Sequence, residues 1–153
     1  MNGATVYKWV RVREDGRRTS AIIAGGPACV EYGTDGEWAE TPEWLERRGY
    51  GLTAFETLKD ADRFLDVALR FETFIAWASG GGGREFELWE AEAEGAREPT
   101  DPPGLSKALT AGRFRPNCGS RWPRGTVMAK RLRLTRKVRT WRAEADGSIS
   151  EGP

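Results

Sequence analysis

The sequence predicts an α+β fold in a single domain: a mixed or antiparallel sheet of about five to seven strands with one main helix, about 57–78, packed on it. Two patterns carry this expectation. Apolar and polar residues alternate with period two over Val6–Val12, and Phe86–Ala93 reads as a further strand set with glutamates. Apolar residues recur at three- and four-residue spacing from Ala61 to Ile75, as on a helix with one buried stripe. Length agrees: 153 residues with 39% hydrophobic content and seven tryptophans suit one core rather than two. The domain is expected to span 1–145. Residues 146–153, small and polar, are expected to form a flexible tail.

In the first strand Val6, Val10 and Val12 fall on one side and Tyr7, Trp9 and Arg11 on the other. Asp15-Gly16 is a hairpin-turn dipeptide, and Thr19 to Ala24 returns as the partner strand. Gly25-Gly26-Pro27 closes that unit. Cys29 to Tyr32 reads as a short strand and Asp35-Gly36 as a second turn before Trp38. Thr41 as N-cap, Pro42 at the first helical position and Glu43 in the first turn predict one or two helical turns. The main helix starts at Thr57, with Asp60 as the reciprocal partner of a capping box. Gly80 to Gly83 ends it, because four glycines lose too much backbone entropy in a helix. Phe86 to Ala93 is a strand carrying Glu85, Glu87, Glu90, Glu92 and Glu94, and the change of spacing after Glu87 predicts a bulge near Leu88-Trp89. Pro99 to Gly119 reads as a long loop. Trp122 to Gly125 makes a turn, and Thr126 to Leu134 is a strand that Lys137 to Arg142 extends or pairs with.

Composition excludes much chemistry. Histidine is absent, so no Ser-His-Asp or Cys-His arrangement, histidine zinc site or imidazole shuttle exists. Cys29 and Cys118 are too few for a four-thiolate site; they pair in an oxidising compartment or stay free thiols elsewhere. No apolar run approaches the ~18 residues of a membrane span, and the first residues lack a signal-peptide pattern. The expectation is a cytoplasmic protein with no membrane partner, no metal and no implied cofactor. Arg outnumbers Lys 19 to 5. A GC-rich genome produces that bias by itself, so arginine content alone argues weakly for phosphate binding.

Charge is segregated. Residues 31–101 hold 18 acidic and 7 basic side chains, whereas 102–143 hold 12 basic and no acidic ones. One reading is a basic surface for an anionic partner: nucleotide, nucleic acid or an acidic protein surface. The other is that strand 126–142 lies beside strand 85–94 and their charges pair across the ladder. Arg113, Arg115, Arg121 and Arg124 fall in the loop and turn rather than the ladder, and are the stronger ligand candidates. Arg121-Trp122-Pro123-Arg124 sets two guanidinium groups around an indole, a trio suited to stacking on a ring while holding phosphate. Trp9 and Trp38 join the candidate ligand-binding set as surplus aromatics, with core packing as their alternative. Gly80 to Gly83 could cradle phosphate, but the run follows a helix instead of preceding one. Glu90, Glu92 and Glu94 share a strand face and either hold a cation or protect an edge strand by charge.

Four segments resemble a group of short phage and bacterial proteins to which no established activity attaches: Tyr7 to Val10, Gly51 to Ala61, Glu87 to Glu92 and Trp122 to Val127. The order of elements is also similar, at the level of fold only, to small ADP-ribosyltransferase-like domains. No catalytic set of that family is matched, so no catalytic residue is carried over. The expected function is a non-enzymatic phage- or mobile-element-type protein that engages an anionic ligand or a host defence protein and inhibits it. The alternatives are an ADP-ribosyltransferase-like enzyme using Glu90 or Glu92, and an assembly protein whose acidic and basic regions join neighbouring copies.

Overall fold

The computed structural model describes residues 3–20, 30–47, 49–66, 84–99, 124–143 and 149–152. Eight strands occur there: β1 (Ala4–Val12), β2 (Arg18–Ser20), β3 (Ala39–Glu40), β4 (Leu52–Phe55), β5 (Arg84–Glu94), β6 (Thr126–Ala129), β7 (Arg131–Ala143) and β8 (Ile149–Gly152). They form one sheet in the order β3-β7-β5-β1-β4-β6, with β2 also on β1 and β8 also on β7. Every pairing is antiparallel. Two short helices accompany it, α1 (Glu43–Glu46) and α2 (Leu58–Phe64). The sheet, not the helix, dominates.

Among the described residues the main helix is shorter than expected: α2 runs seven residues and 65–66 continue it as a wider turn. Ala68, Phe71, Ile75 and the glycines 80–83 lie outside the described residues. Its start is as read: Thr57 Oγ1 accepts the Asp60 N–H at 3.1 Å. The Thr57 hydroxyl also donates to the Asp60 carboxylate at 2.9 Å, in place of the expected reciprocal bond to the Thr57 N–H. α1 differs at its cap. Pro42 occupies the N-cap without a side-chain bond, because Thr41 Oγ1 instead donates to the carbonyls of Ala129 and Lys130. Residues 149–152, placed by the sequence in a frayed tail, form β8 against the end of β7. The Asp15-Gly16 turn holds, with Gly16 at φ 86°, a conformation that favours glycine.

Two apolar clusters lie on opposite faces of the sheet. Under the helices, Trp9, Phe55, Phe64, Phe86, Leu88 and Trp141 pack with Leu45, Ala61 and Leu65. Phe55 and Phe64 meet at 5.2 Å between ring centroids, Phe86 and Trp141 at 5.8 Å. On the other face, Val6, Val10, Ala91, Ala93, Leu132 and Leu134 pack with Leu52, Ala54, Ala129 and Tyr32. β5 therefore changes its apolar side halfway along. Phe86 and Leu88 point under the helices, Ala91 and Ala93 the other way.

That change explains the glutamate spacing. β5 pairs with β1 without a break from Ala4↔Ala93 to Val12↔Glu85. The register shifts between Leu88/Trp89 and between Glu90/Ala91 arise against β7, where Val138 and Thr135 are the extra residues. The expected bulge site is correct, but the inserted residues belong to the partner strand. β5 is also central rather than an edge strand, flanked by β1 and β7.

Candidate functional site

The β5/β7 register sets opposite charges face to face. On the helix-bearing face Arg131 grips Glu94 with two nitrogens, at 2.7 and 3.1 Å. Arg133 Nε lies 2.8 Å from Glu92 and Arg136 Nη2 3.2 Å from Glu90. On the opposite face Arg142 Nη2 lies 2.6 Å from Glu85, and Lys137 Nζ 3.8 Å from Glu87. Arg139 pairs with Asp62 of α2. The two extra residues of β7 keep Arg131, Arg133, Arg136 and Arg139 on one face despite their uneven spacing. All six basic side chains of 131–143 therefore hold a carboxylate. Arg131 in turn holds Glu94 below the usual carboxylate range through its hydrogen bonds.

Glu87 is the most enclosed of these acids, 2% exposed. Arg18 Nε and Nη2 donate to its two oxygens at 2.7 and 3.1 Å, and the Trp89 indole N–H donates at 2.9 Å. Burial by itself pushes this carboxyl up; the Arg18 and Trp89 hydrogen bonds, with the charges of Arg18 and Lys137, outweigh it and hold the group below its ordinary value. Lys8 is buried on the same face, where β1 changes neighbours: β1 meets β4 at Tyr7↔Phe55 and β2 from Val10↔Ser20 onward. Its ammonium donates to Ser20 Oγ at 2.9 Å and to Thr53 Oγ1 at 3.2 Å, reaches the Thr53 carbonyl, and lies 5.1 Å from the Tyr32 ring centroid. Lys8 thus ties the two branches of the sheet together.

The sequence-derived ligand candidates separate. Trp9 is 1% exposed and its indole N–H donates to the Ala61 carbonyl at 2.8 Å, so it offers no face to a ligand and fills the core. Trp38 is half-buried beneath two guanidinium groups, Arg131 at 4.2 Å and Arg133 at 4.7 Å from its ring centroid. It supports the charge ladder through cation–π contact. Arg124 is exposed in the turn before β6 and has no carboxylate partner among the described residues. That turn is anchored by Gly125, whose carbonyl accepts the Glu56 N–H at 2.9 Å. Gly125 has φ 81°, and a Cβ there would fall 2.2 Å from an Asp60 carboxylate oxygen. Arg113, Arg115, Arg121 and Trp122 lie outside the described residues, as do Cys29 and Cys118.

Glu90, Glu92 and Glu94 do hold cations, but these are the arginines of β7. Among the described residues no group of three acidic, histidine or cysteine side chains is arranged to hold a metal, and no helix is long and apolar enough to cross a membrane. Sequence reasoning passed over Lys8 and Glu87. The signal was present in the period-two phase, which places Lys8 with Val6 and Val10. No protein-family model, curated protein or solved structure matches the chain.

Proposed function

We propose that the chain is a non-enzymatic binding protein for an anionic partner, a nucleotide or a nucleic acid, engaged through residues 102–130. One observation supports this above others. The six basic residues of 131–143 are matched by carboxylates within the fold, whereas 102–130 carry six more (Lys107, Arg113, Arg115, Arg121, Arg124 and Lys130) and no acidic residue. The sequence of 102–130 is thus cationic and locally so, the footprint an anion binder needs. Nothing favours a catalytic role for Glu90 or Glu92, since each carboxylate holds an arginine. With the resemblance to short phage and bacterial proteins, the reading extends to an inhibitor that sequesters a nucleotide signal or competes for nucleic acid in a host defence.

Calorimetric titration at low salt against nucleotides, cyclic oligonucleotides and short single strands tests it. Arg121→Ala with Arg124→Ala is expected to reduce the salt slope of single-strand binding by about 1.4, about 0.7 for each lost phosphate contact. Arg136→Ala, which removes a ladder cation, is expected to leave that slope unchanged. Absence of binding by every anion, or an equal effect from Arg136→Ala, would falsify the reading.

A further inference from the structure

We infer that the cleft where α1, the turn after β5 and the β6–β7 junction meet binds a single nucleoside monophosphate, with phosphate on Lys130 and Arg97 and the base against Tyr50. This rests on the reading of the chain as an anion binder and names the ligand of one site within it. The cleft has a volume of about 360 Å³ and is lined by Glu46, Tyr50, Gly51, Arg97, Ala129 and Lys130. That lies at the small end of ligand pockets, room for one nucleotide unit.

Each wall contributes a different chemistry. Lys130 interrupts the run between β6 and β7, and its main chain is fixed: the N–H donates to the Glu94 carbonyl at 2.9 Å, while its carbonyl accepts Thr41 N–H at 2.9 Å and Thr41 Oγ1 at 2.7 Å. The side chain is exposed, with no carboxylate partner among the described residues. Arg97 is anchored by paired backbone bonds with Met128, 2.8 and 2.9 Å, and its guanidinium donates to the carbonyls of Gly49 and Glu98. Two cationic side chains on the wall of one cleft, one of them held in place by main-chain carbonyls, suit a phosphate monoester. The floor is bare main chain, for a Cβ on Gly51 would fall 2.6 Å from the Ala129 carbonyl oxygen. Tyr50 is half-buried against the helix-side core, so its ring is held as a stacking wall. Glu46 sets the limit. Its carboxylate accepts N–H or O–H groups from a base or ribose and repels a second anionic group, which favours one phosphate over a di- or triphosphate.

The test is isothermal titration of the full chain with adenosine monophosphate, adenosine and inorganic phosphate. The monophosphate is expected to bind roughly tenfold or more tightly than either fragment, and Lys130→Ala to weaken it roughly tenfold. Tyr50→Leu should weaken the monophosphate while leaving phosphate binding unchanged. Lys130→Ala retains the main-chain bonds that hold the junction, and an unchanged melting temperature verifies its fold. Failure of the monophosphate to bind, indifference to Lys130→Ala, or equal binding by phosphate or by adenosine alone overturns the assignment. If single strands still bind with the dependence on Arg121 and Arg124 while the monophosphate does not, the cleft alone is wrong; if neither binds, both readings fall.

Discussion

Glu87 sits between β1, β2 and β7 with three donors aimed at two oxygens, and its removal leaves Arg18 facing an uncharged group. Arg18 is raised in pKa by the same hydrogen bonds that lower Glu87, so each stabilises the charged form of the other. The sign of the pH effect follows from the lowered carboxyl. The unfolded group titrates near about 4.3 and the folded one below that. Its contribution is therefore complete above the unfolded value and is lost as pH falls through the folded one. Glu87→Gln is expected to cost about 2 kcal/mol at neutral pH, the worth of hydrogen bonds to a charged group. The difference between the two proteins should begin to shrink as pH falls below about 4.3 and close only below the lowered folded value. Urea unfolding followed from pH 7 to pH 3 measures this; a difference that persists undiminished at pH 3 would assign the loss to packing. Such a residue was hard to find in the sequence. Glu87 looked like one of five glutamates on an acidic strand, and only the alignment of Arg18 opposite Val12 turns it into a buried acid. Lys8 was equally concealed, a cation in phase with two valines.

At the scale of the element, the β5/β7 ladder joins the most acidic strand to the most basic one, yet its pairs are individually weak. Arg131–Glu94 and Arg133–Glu92 have side chains about a third exposed, and Arg136 is more open still. Pairs of that kind contribute about 0.2–1 kcal/mol. A double-mutant cycle on Arg131 and Glu94 is expected to give a coupling within that range at low salt and near zero at 1 M, where the screening length falls to about 3 Å. A coupling above about 2 kcal/mol would mean the ladder, rather than the apolar clusters, holds these strands together. The ladder was half legible. Opposite charges in 85–94 and 126–142 allowed strand pairing, and the uneven glutamate spacing marked the irregular site. What spacing alone did not contain was the continuous pairing of β5 with β1, which forces the extra residues into β7. The apolar side of β5 changes because the helices cover Phe86 and Leu88 while β4 and β6 help cover Ala91 and Ala93; that choice is made by elements distant in sequence.

For the whole molecule, a net charge of +1 conceals two blocks of six cations, one at 131–143 that the fold pairs with carboxylates and one at 102–130 whose own sequence holds no acidic residue. The boundary falls at Lys130, where β6 ends and the ladder begins. This division bounds how strongly nucleic-acid binding can depend on salt. Each phosphate neutralised on a single strand contributes about −0.7 to the slope of log K against log salt, so six cations permit no slope steeper than about −4. If the arginines of β7 exchanged their carboxylates for phosphates, all twelve cations would contribute and the slope would approach about −8. That exchange is disfavoured, because it would strand Glu85, Glu87, Glu90, Glu92 and Glu94 beside the incoming anion. The expected slope for a labelled single strand, read by fluorescence anisotropy over a salt series, lies between zero and about −4. A value near −8 would show that the ladder opens on binding and that the basic strand belongs to the interface after all.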